Sequence, residues 1–254
     1  MRAPLPLIAL LALVWLAVLP ARADDWSVTR SEFDARILAR YKGMLKRDAA
    51  DAHALSRLVT LYKKHRTLAA LIAEYKAAAK AAPGLPGPRY ILGRLEGRAG
   101  RWASAVDHFK AASRLSPKSG WILAAQAEAQ EKLGATAEAV EAYKGALSLT
   151  RATRRKMIYL RALAQLSTTS GDHKASAVYR QALLALSPKD RELTVSLARA
   201  HVAAGDHAAA LKLLKGLTAR TSDGARKAEL LKESGKVAAA MESYDQAVAL
   251  FREA

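Results

Sequence analysis

The chain has 254 residues, of which 51% are hydrophobic and only 6% aromatic, and its formal net charge is +18. It contains no cysteine, which excludes disulfides, thiolate metal sites and cysteine nucleophiles. Ala, Leu, Arg, Lys and Glu, which favour helices, are abundant, whereas the aromatic and β-branched residues typical of sheets are sparse. The composition therefore predicts an all-α protein with enough apolar residues for a sizeable core.

Residues 1–23 have the layout of a secretory signal peptide. A basic residue precedes an apolar run over 5–19, Pro20 ends the run, and residues 21–23 offer small side chains for cleavage. A retained membrane anchor is the alternative, but the run is shorter than the ~20 residues that span a bilayer. We therefore expect an exported protein without a lipid anchor or further transmembrane segment. In a Gram-negative bacterium it would lie in the periplasm, and otherwise it would be secreted.

A helix is predicted near 31–48, and from there a regular period organises the chain. Four aromatic residues follow one another at intervals of 34, and the series continues at intervals of 36, 35 and 30. Its members are Tyr41, Tyr75, Phe109, Tyr143, Tyr179, Leu214 and Tyr244. A glycine precedes the later members, at Gly100, Gly134, Gly171, Gly205 and Gly235. The period predicts a solenoid in which each unit packs only on its neighbours.

These columns resemble the tetratricopeptide-repeat family, whose 34-residue unit carries Leu-Gly in its first helix and Ala-x3-aromatic in its second. The best-matching unit is 86–119, which carries Leu92-Gly93, Phe109 and the other column residues. The resemblance implies an all-α right-handed superhelix over residues 24–254. We expect six repeats, near 52–85, 86–119, 120–153, 156–190, 191–220 and 221–254, after the half-repeat helix.

Small and aromatic residues at fixed columns have a packing explanation. Small residues let two helices approach closely, and the aromatic fills the space between repeats. Glycine allows the left-handed turn that ends the first helix, and proline stops the second. Structural roles are therefore predicted for Tyr75, Gly93, Gly100, Ala105, Phe109, Pro117, Gly134, Ala139 and Tyr143.

Enzyme signatures are absent from the sequence: there is no Gly-x-Ser-x-Gly, no His-Glu-x-x-His and no phosphate loop. Gly93 and Gly100 belong to the repeat columns rather than to a phosphate-binding loop. His173 and His207 each follow a turn glycine by two residues, where this repeat usually carries a packing side chain. We therefore expect no enzyme activity, no cofactor and no metal site.

Charge is distributed unevenly along the chain. Residues 52–119 contain 13 basic and 3 acidic residues, whereas residues 221–254 contain 5 basic and 6 acidic ones. The basic excess predicts an anionic partner surface, although a solubilising basic face is the alternative. A second basic run, over 151–156, separates the third and fourth repeats and is a further possible docking point.

The family's spacing implies which side chains line the inner, concave wall. We expect a partner-binding surface there, formed by His53, Lys63, Lys64, Tyr90, Arg94, Arg98 and Trp121. An acidic step, Glu128 and Glu131, is expected next, followed by Arg161 and Arg199. Chaperone-binding members of the family hold a carboxylate with Lys and Asn at inner positions, which here are Ser56, Tyr90 and Ala124. A chaperone-tail receptor is therefore not expected.

Two functions are compatible with this pattern. The first is a non-enzymatic scaffold in a bacterial cell-envelope assembly for secretion, motility, polymer export or cell-wall synthesis, which binds acidic or extended protein segments. The second is direct binding of an anionic polymer or membrane surface, such as lipopolysaccharide or acidic polysaccharide, through the first two repeats. Nucleic acid is disfavoured by the export signal and by the few aromatics for base stacking. An apolar face near Val248 and Phe251 is a further predicted partner contact.

Overall fold

The computed structural model describes residues 30–254, and within this range every regular element is a helix. The predicted signal peptide lies outside the described residues. A single helix, α1 (Arg30–Arg47), comes first. Six pairs follow: α2 (Ala52–His65) with α3 (Leu68–Ala81), α4 (Pro86–Arg98) with α5 (Trp102–Leu115), α6 (Gly120–Leu133) with α7 (Thr136–Leu149), α8 (Thr153–Thr169) with α9 (His173–Leu186), α10 (Arg191–Ala203) with α11 (His207–Thr218), and α12 (Gly224–Ala240) with α13 (Tyr244–Glu253).

Each helix packs chiefly on the helices that precede and follow it in the chain. Neighbour-only packing is the property that defines a solenoid. The predicted all-α solenoid of helix pairs is therefore confirmed. In the part of the chain that the structure describes, no helix combines the length and the apolar character needed to cross a bilayer.

Aspartate N-caps mark where five helices begin, and glycines in the left-handed conformation mark the turns inside four of the helix pairs. Side chains of aspartates accept hydrogen bonds from the backbone N–H three residues later at the starts of five helices. These N-caps are Asp51, Asp172, Asp190, Asp206 and Asp223. Gly100, Gly134, Gly171 and Gly205 have φ between +76° and +82° in the turns inside the pairs, where a Cβ would be strained.

The second and third repeats show how the columns pack. The Phe109 ring lies directly against the backbone of Gly93, so that a Cβ on Gly93 would stand 2.7 Å from the ring. Ala105, one turn earlier on α5, is completely buried. Tyr143 and Ala139 occupy the same columns in the third repeat and are also buried. Tyr75, in the first repeat, is partly buried against the same core, and burial raises its pKa to about 12.

The last repeat differs from the prediction in register. Gly235 does not lie in a turn but in the middle of α12, where its backbone touches the Phe251 ring. Glu242, with φ +59°, takes the turn position instead. Tyr244 is therefore not the packing aromatic of this repeat: it is 65% exposed at the start of α13. Phe251 has that role, as Phe109 has in the second repeat.

The fourth repeat differs for a related reason. Helix α8 has 17 residues, three or four more than α4 and α6, so intervals between aromatics no longer follow the fold there. Phe109 and Tyr143 each come nine residues after a turn glycine, and the residue nine after Gly171 is Arg180. Arg180 therefore stands at the position of Phe109 and Tyr143, and the predicted Tyr179, one residue earlier, is partly buried against the core that joins the third and fourth repeats.

Candidate functional site

A small recess on the first helices of the second and third repeats contains two of the predicted partner-binding residues. Its volume is about 160 Å³, and Arg94, Arg98 and Glu128 are among the side chains that line it. Gly93 and Gly97 have no side chains, so the rings of Phe109 and Trp102 lie against α4. The recess therefore has an aromatic floor and a charged rim.

The two arginines of the rim differ in their surroundings. Arg94 Nη1 is 2.8 Å from Glu128 Oε2, an ion pair that links the second repeat to the third. Arg98 has no ion-pair partner among the residues described. Arg98 is exposed, and partial desolvation of its guanidinium, followed by the nearby charge of Arg94, lowers its pKa. Arg98 is therefore the rim residue with the greater capacity to bind an anion.

The remaining basic residues of the predicted surface lie on α2. Lys63 and Lys64 are exposed in its last turn, and neither forms an ion pair within the described part of the chain. Lys64 precedes Arg98 by one repeat period of 34 residues, so the two occupy equivalent positions on successive first helices. His53 is exposed at the start of α2. The surface thus places two lysines beside a repeat that presents two arginines.

The aromatic members of the prediction have different positions. Tyr90 is only 7% exposed, and its ring packs edge-on against Trp121 with centroids 4.4 Å apart. The expectation that Tyr90 binds a partner is therefore wrong: Trp121, from the next repeat, covers it. Trp121 itself lines a separate groove of about 690 Å³ that includes Leu85 and Ile91. It does not line the arginine-rimmed recess.

Two of the three acidic residues in the first two repeats, Glu74 and Glu96, are occupied by internal contacts, whereas the third, Asp107, is exposed. Glu74 accepts hydrogen bonds of 2.5 Å from both Lys42 and Tyr62. Burial alone would raise its pKa, but these hydrogen bonds outweigh burial and the pKa is lowered. Glu96 is 1% exposed and forms ion pairs with Arg101 and, at 3.7 Å, with Lys76.

Consequently, most of the basic excess is not neutralised. Of the 13 basic residues in 52–119, only four form ion pairs among the described residues. Of the predicted acidic step, Glu128 pairs with Arg94, and Glu131 accepts a 3.4 Å hydrogen bond from Tyr143. Arg161 is exposed, whereas Arg199 pairs with Glu233 at 2.5 Å.

A larger groove, which sequence reasoning missed, lies among the last three repeats. It has a volume of about 820 Å³ and receives side chains from α8 to α12, including Arg180. The position of Arg180 relative to the turn glycine Gly171 was the available signal. Counting from that glycine would have placed a charged side chain in a packing column.

Two other predicted contact points are accessible. Residues 151–155 of the second basic run are exposed at the start of α8. Val248 and Phe251 on α13 are each almost half exposed, although one face of the Phe251 ring packs on Gly235. Across residues 30–254, no three His, Asp or Glu side chains are grouped so that they could hold a metal ion.

Comparison with known proteins places this fold in a class. Residues 168–233 match the sequence model of the tetratricopeptide repeat, and no curated protein sequence matches the chain. Among solved structures, a chain of the Naa15/Naa10 complex bound to HypK-THB is 16% identical, with a TM-score of 0.64. The match covers 87% of this chain and 31% of that one.

Two smaller proteins are similar over most of their length. YrrB, described as a tetratricopeptide-repeat protein with an unusual peptide-binding site, is 15% identical with a TM-score of 0.52. That match covers 70% of this chain and 89% of YrrB. MamA is 15% identical with a TM-score of 0.51, over 76% of this chain and 96% of MamA. The helix pairs, turns and columns define a helical-repeat scaffold. The fold is that of a tetratricopeptide-repeat solenoid, and residues 168–233 match the sequence model of that repeat.

Proposed function

We propose that this protein is a non-enzymatic adaptor in a bacterial cell-envelope assembly, one that serves secretion, motility, polymer export or cell-wall synthesis. Its fold suggests a protein-interaction scaffold, and proteins of this family are typically not enzymes. The adaptor binds an acidic or extended partner segment on the surface formed by Lys63, Lys64, Arg94 and Arg98, here called the basic concave surface. The uncompensated positive charge of the first two repeats is the observation that carries this proposal.

The recess gives this surface a second type of contact. Its floor of aromatic rings suits one apolar side chain of the partner, and desolvated aromatic floors contribute strongly to binding. The guanidinium of Arg98 suits a carboxylate next to that side chain, because charge-assisted hydrogen bonds are the stronger ones. A partner with an acidic residue beside an apolar one thus matches the surface better than a uniformly charged polymer.

Export is the part of the proposal that depends on the sequence of residues 1–23. Fractionation of the native organism, followed by N-terminal sequencing, tests it. We expect the protein in the periplasmic fraction with Asp24 as its first residue. A cytoplasmic protein that retains Met1 would contradict the envelope assignment. The proposal that the basic concave surface binds a partner would not be affected.

Capture from native envelope extract tests the surface itself. The wild type is compared with a variant in which Lys63, Lys64, Arg94 and Arg98 are all changed to Glu. The control changes Lys80, Lys110, Arg114 and Lys118 to Glu, four exposed residues that form no ion pair among those described and lie on the second helices or in the loop after α5. Both variants have the same net charge, but the concave variant also breaks the ion pair of Arg94 with Glu128, so unchanged helicity of both variants is checked first.

We expect the wild type and the control to retain one discrete protein at moderate salt, and the concave variant to lose it. Equal retention by both variants would contradict the chosen surface. Capture of lipopolysaccharide, polysaccharide or DNA in place of a protein would replace the adaptor proposal with polyanion binding. That outcome is recognised by its salt dependence, because the logarithm of a polyanion affinity falls linearly with the logarithm of the salt concentration.

A further inference from the structure

Helix α9 carries polar residues at three columns that are apolar in the second repeat. Counted from the turn glycine, the second, fifth and ninth positions are Trp102, Ala105 and Phe109 on α5. On α9 the same positions are His173, Ser176 and Arg180. The three side chains share one face of the helix, since they are spaced by three and four residues. We call them the polar stripe of α9.

Neutral oxygen atoms hold Arg180 in place. Its Nε donates to Ser196 Oγ at 2.7 Å, and its Nη1 lies within hydrogen-bond distance of Thr168 Oγ1, Ser176 Oγ and the carbonyl oxygen of Ala164. Its Nη2, which carries two N–H donors, has no partner among the residues described. No carboxylate of residues 35–254 pairs with this guanidinium. The group is therefore oriented by the protein while part of its hydrogen-bonding capacity and all of its charge remain available.

The large groove brings this guanidinium to a surface of mixed charge. Arg180 lines it together with three other arginines and three glutamates, which leaves a net charge of +1. Among these lining residues, only Arg199 and Glu233 form an ion pair. Val195 and Leu230 supply apolar contacts. Burial lowers the pKa of Arg180, in agreement with a positive charge that lacks a counter-ion.

We propose that this groove binds an extended peptide segment and that Arg180 holds the side-chain carboxylate of a single Asp or Glu in that segment. A multiply charged polyanion fits less well, because Glu192, Glu229 and Glu233 would repel it. One carboxylate balances the net charge of +1 in the groove. Backbone N–H groups of the bound peptide can donate hydrogen bonds to the three glutamates. The site shares no residue with the basic concave surface and stands independently of the function proposed above.

The third repeat supplies the variant that tests this proposal. Tyr143 and Ala139 occupy the columns of Arg180 and Ser176, opposite Ala127, whose counterpart in the fourth repeat is Ala164. The double substitution Ser176→Ala, Arg180→Tyr therefore installs a combination that this chain already packs. Arg114→Tyr serves as the control, because Arg114 is exposed on α5 and has no ion pair among the described residues.

The experiment is selection from a random nonapeptide display library, followed by measurement of the affinity of the enriched peptides. We expect the wild type and Arg114→Tyr to enrich peptides with one acidic residue at a fixed position. The double variant should keep its helicity, lose this preference and bind the enriched peptides about 10- to 100-fold more weakly, as loss of a charge-assisted contact implies. The affinity of Arg180→Lys should lie between those of the wild type and the double variant, because lysine keeps the charge but lacks the planar, forked guanidinium.

Two results would overturn the proposal. One is a wild-type selection without a fixed acidic position. The other is an acidic preference that the double variant retains in full.

Discussion

The second and fourth repeats place chemically opposite side chains at one position of the same fold. On α5, Phe109 is buried against Gly93, where a Cβ would lie 2.7 Å from its ring. On α9, Arg180 is held by hydroxyl and carbonyl oxygens beside the 820 Å³ groove. Both repeats nevertheless form helix pairs with a left-handed glycine turn.

This difference shows which features the fold requires and which it can vary. The turn glycine and the buried small residues are present in both repeats, whereas only the second repeat has a buried ring at the ninth position after the glycine. A solenoid can omit one packing side chain because each repeat is stabilised by its two neighbours. With Arg180 in place of a packed ring, the fourth repeat has a groove and a polar group beside it, and binding sites combine these two features.

Truncation of the two column residues should give the largest contrast. Phe109→Ala is expected to cost about 3–5 kcal/mol, because it removes a buried ring and leaves a cavity. Arg180→Ala removes hydrogen bonds whose buried acceptors, Ser176 Oγ and the Ala164 carbonyl oxygen, also bond to one another, and we expect a loss of about 0.5–1.5 kcal/mol. Urea unfolding followed by circular dichroism measures both. Equal losses would show that Arg180 is as much a packing residue as Phe109.

The register of the last repeat is tested by a bulkier residue at Gly235. Its backbone touches the Phe251 ring, whereas Gly216, on α11, has no atom within 4 Å of the position of its missing Cβ. Gly235→Val should destabilise the protein by about 1–3 kcal/mol through overpacking, and Gly216→Val should change its stability by less than about 0.5 kcal/mol. If Gly235→Val leaves the free energy of unfolding unchanged, Phe251 does not pack on Gly235, and Tyr244 would be the packing aromatic of this repeat.

Substitutions in the turns should change the free energy of unfolding by a smaller amount, and the change should have opposite signs at two equivalent turn positions. Gly134 has φ +82° and Glu242 has φ +59°, and a left-handed residue other than glycine costs about 1–2 kcal/mol. Gly134→Ala should therefore lower the free energy of unfolding by about 1 kcal/mol, and Glu242→Gly should raise it by about 0.5–1 kcal/mol. A destabilising Glu242→Gly would mean that the Glu242 side chain has a role of its own.

The acid dependence of the first repeat should give the smallest effect. The folded pKa of Glu74 lies below its ordinary value of 4.5, so its contribution is present above that value and is lost as the pH falls through the lowered one. Melting temperatures at pH 6 and pH 3 are compared for wild type and Glu74→Gln. The variant should lose less stability over this interval. An identical loss would mean that the contacts with Lys42 and Tyr62 do not favour the ionised carboxylate.

Sequence periodicity predicted the fold because small residues, turn glycines and aromatics recur where successive first helices have nearly equal lengths. It was wrong about register where a helix is longer: α8 and α12 each have 17 residues. Counting between aromatics then selected Tyr179 and Tyr244 in place of Arg180 and Phe251. Glycine alone was an insufficient guide, since Glu242 takes the left-handed turn and Gly235 is helical.

For the candidate site, the sequence predicted the exposed lysines of α2 and the arginines of α4. It did not predict that Tyr90 is covered, because that contact comes from Trp121 in the following repeat. Nor did it predict the ion pair between Arg94 and Glu128, which joins two helices whose angle is set by packing. Contacts between repeats depend on side-chain geometry that a column pattern does not contain.

Stability of the Ser176→Ala, Arg180→Tyr protein is the most direct test of the claim that the fourth repeat gives up packing for binding. Proteins commonly lose stability at functional sites and regain it when packing residues are restored. We predict that the free energy of unfolding rises by on the order of 1 kcal/mol. A clear fall below the wild type would contradict the account, because the polar stripe of α9 would then be what holds the fourth repeat together.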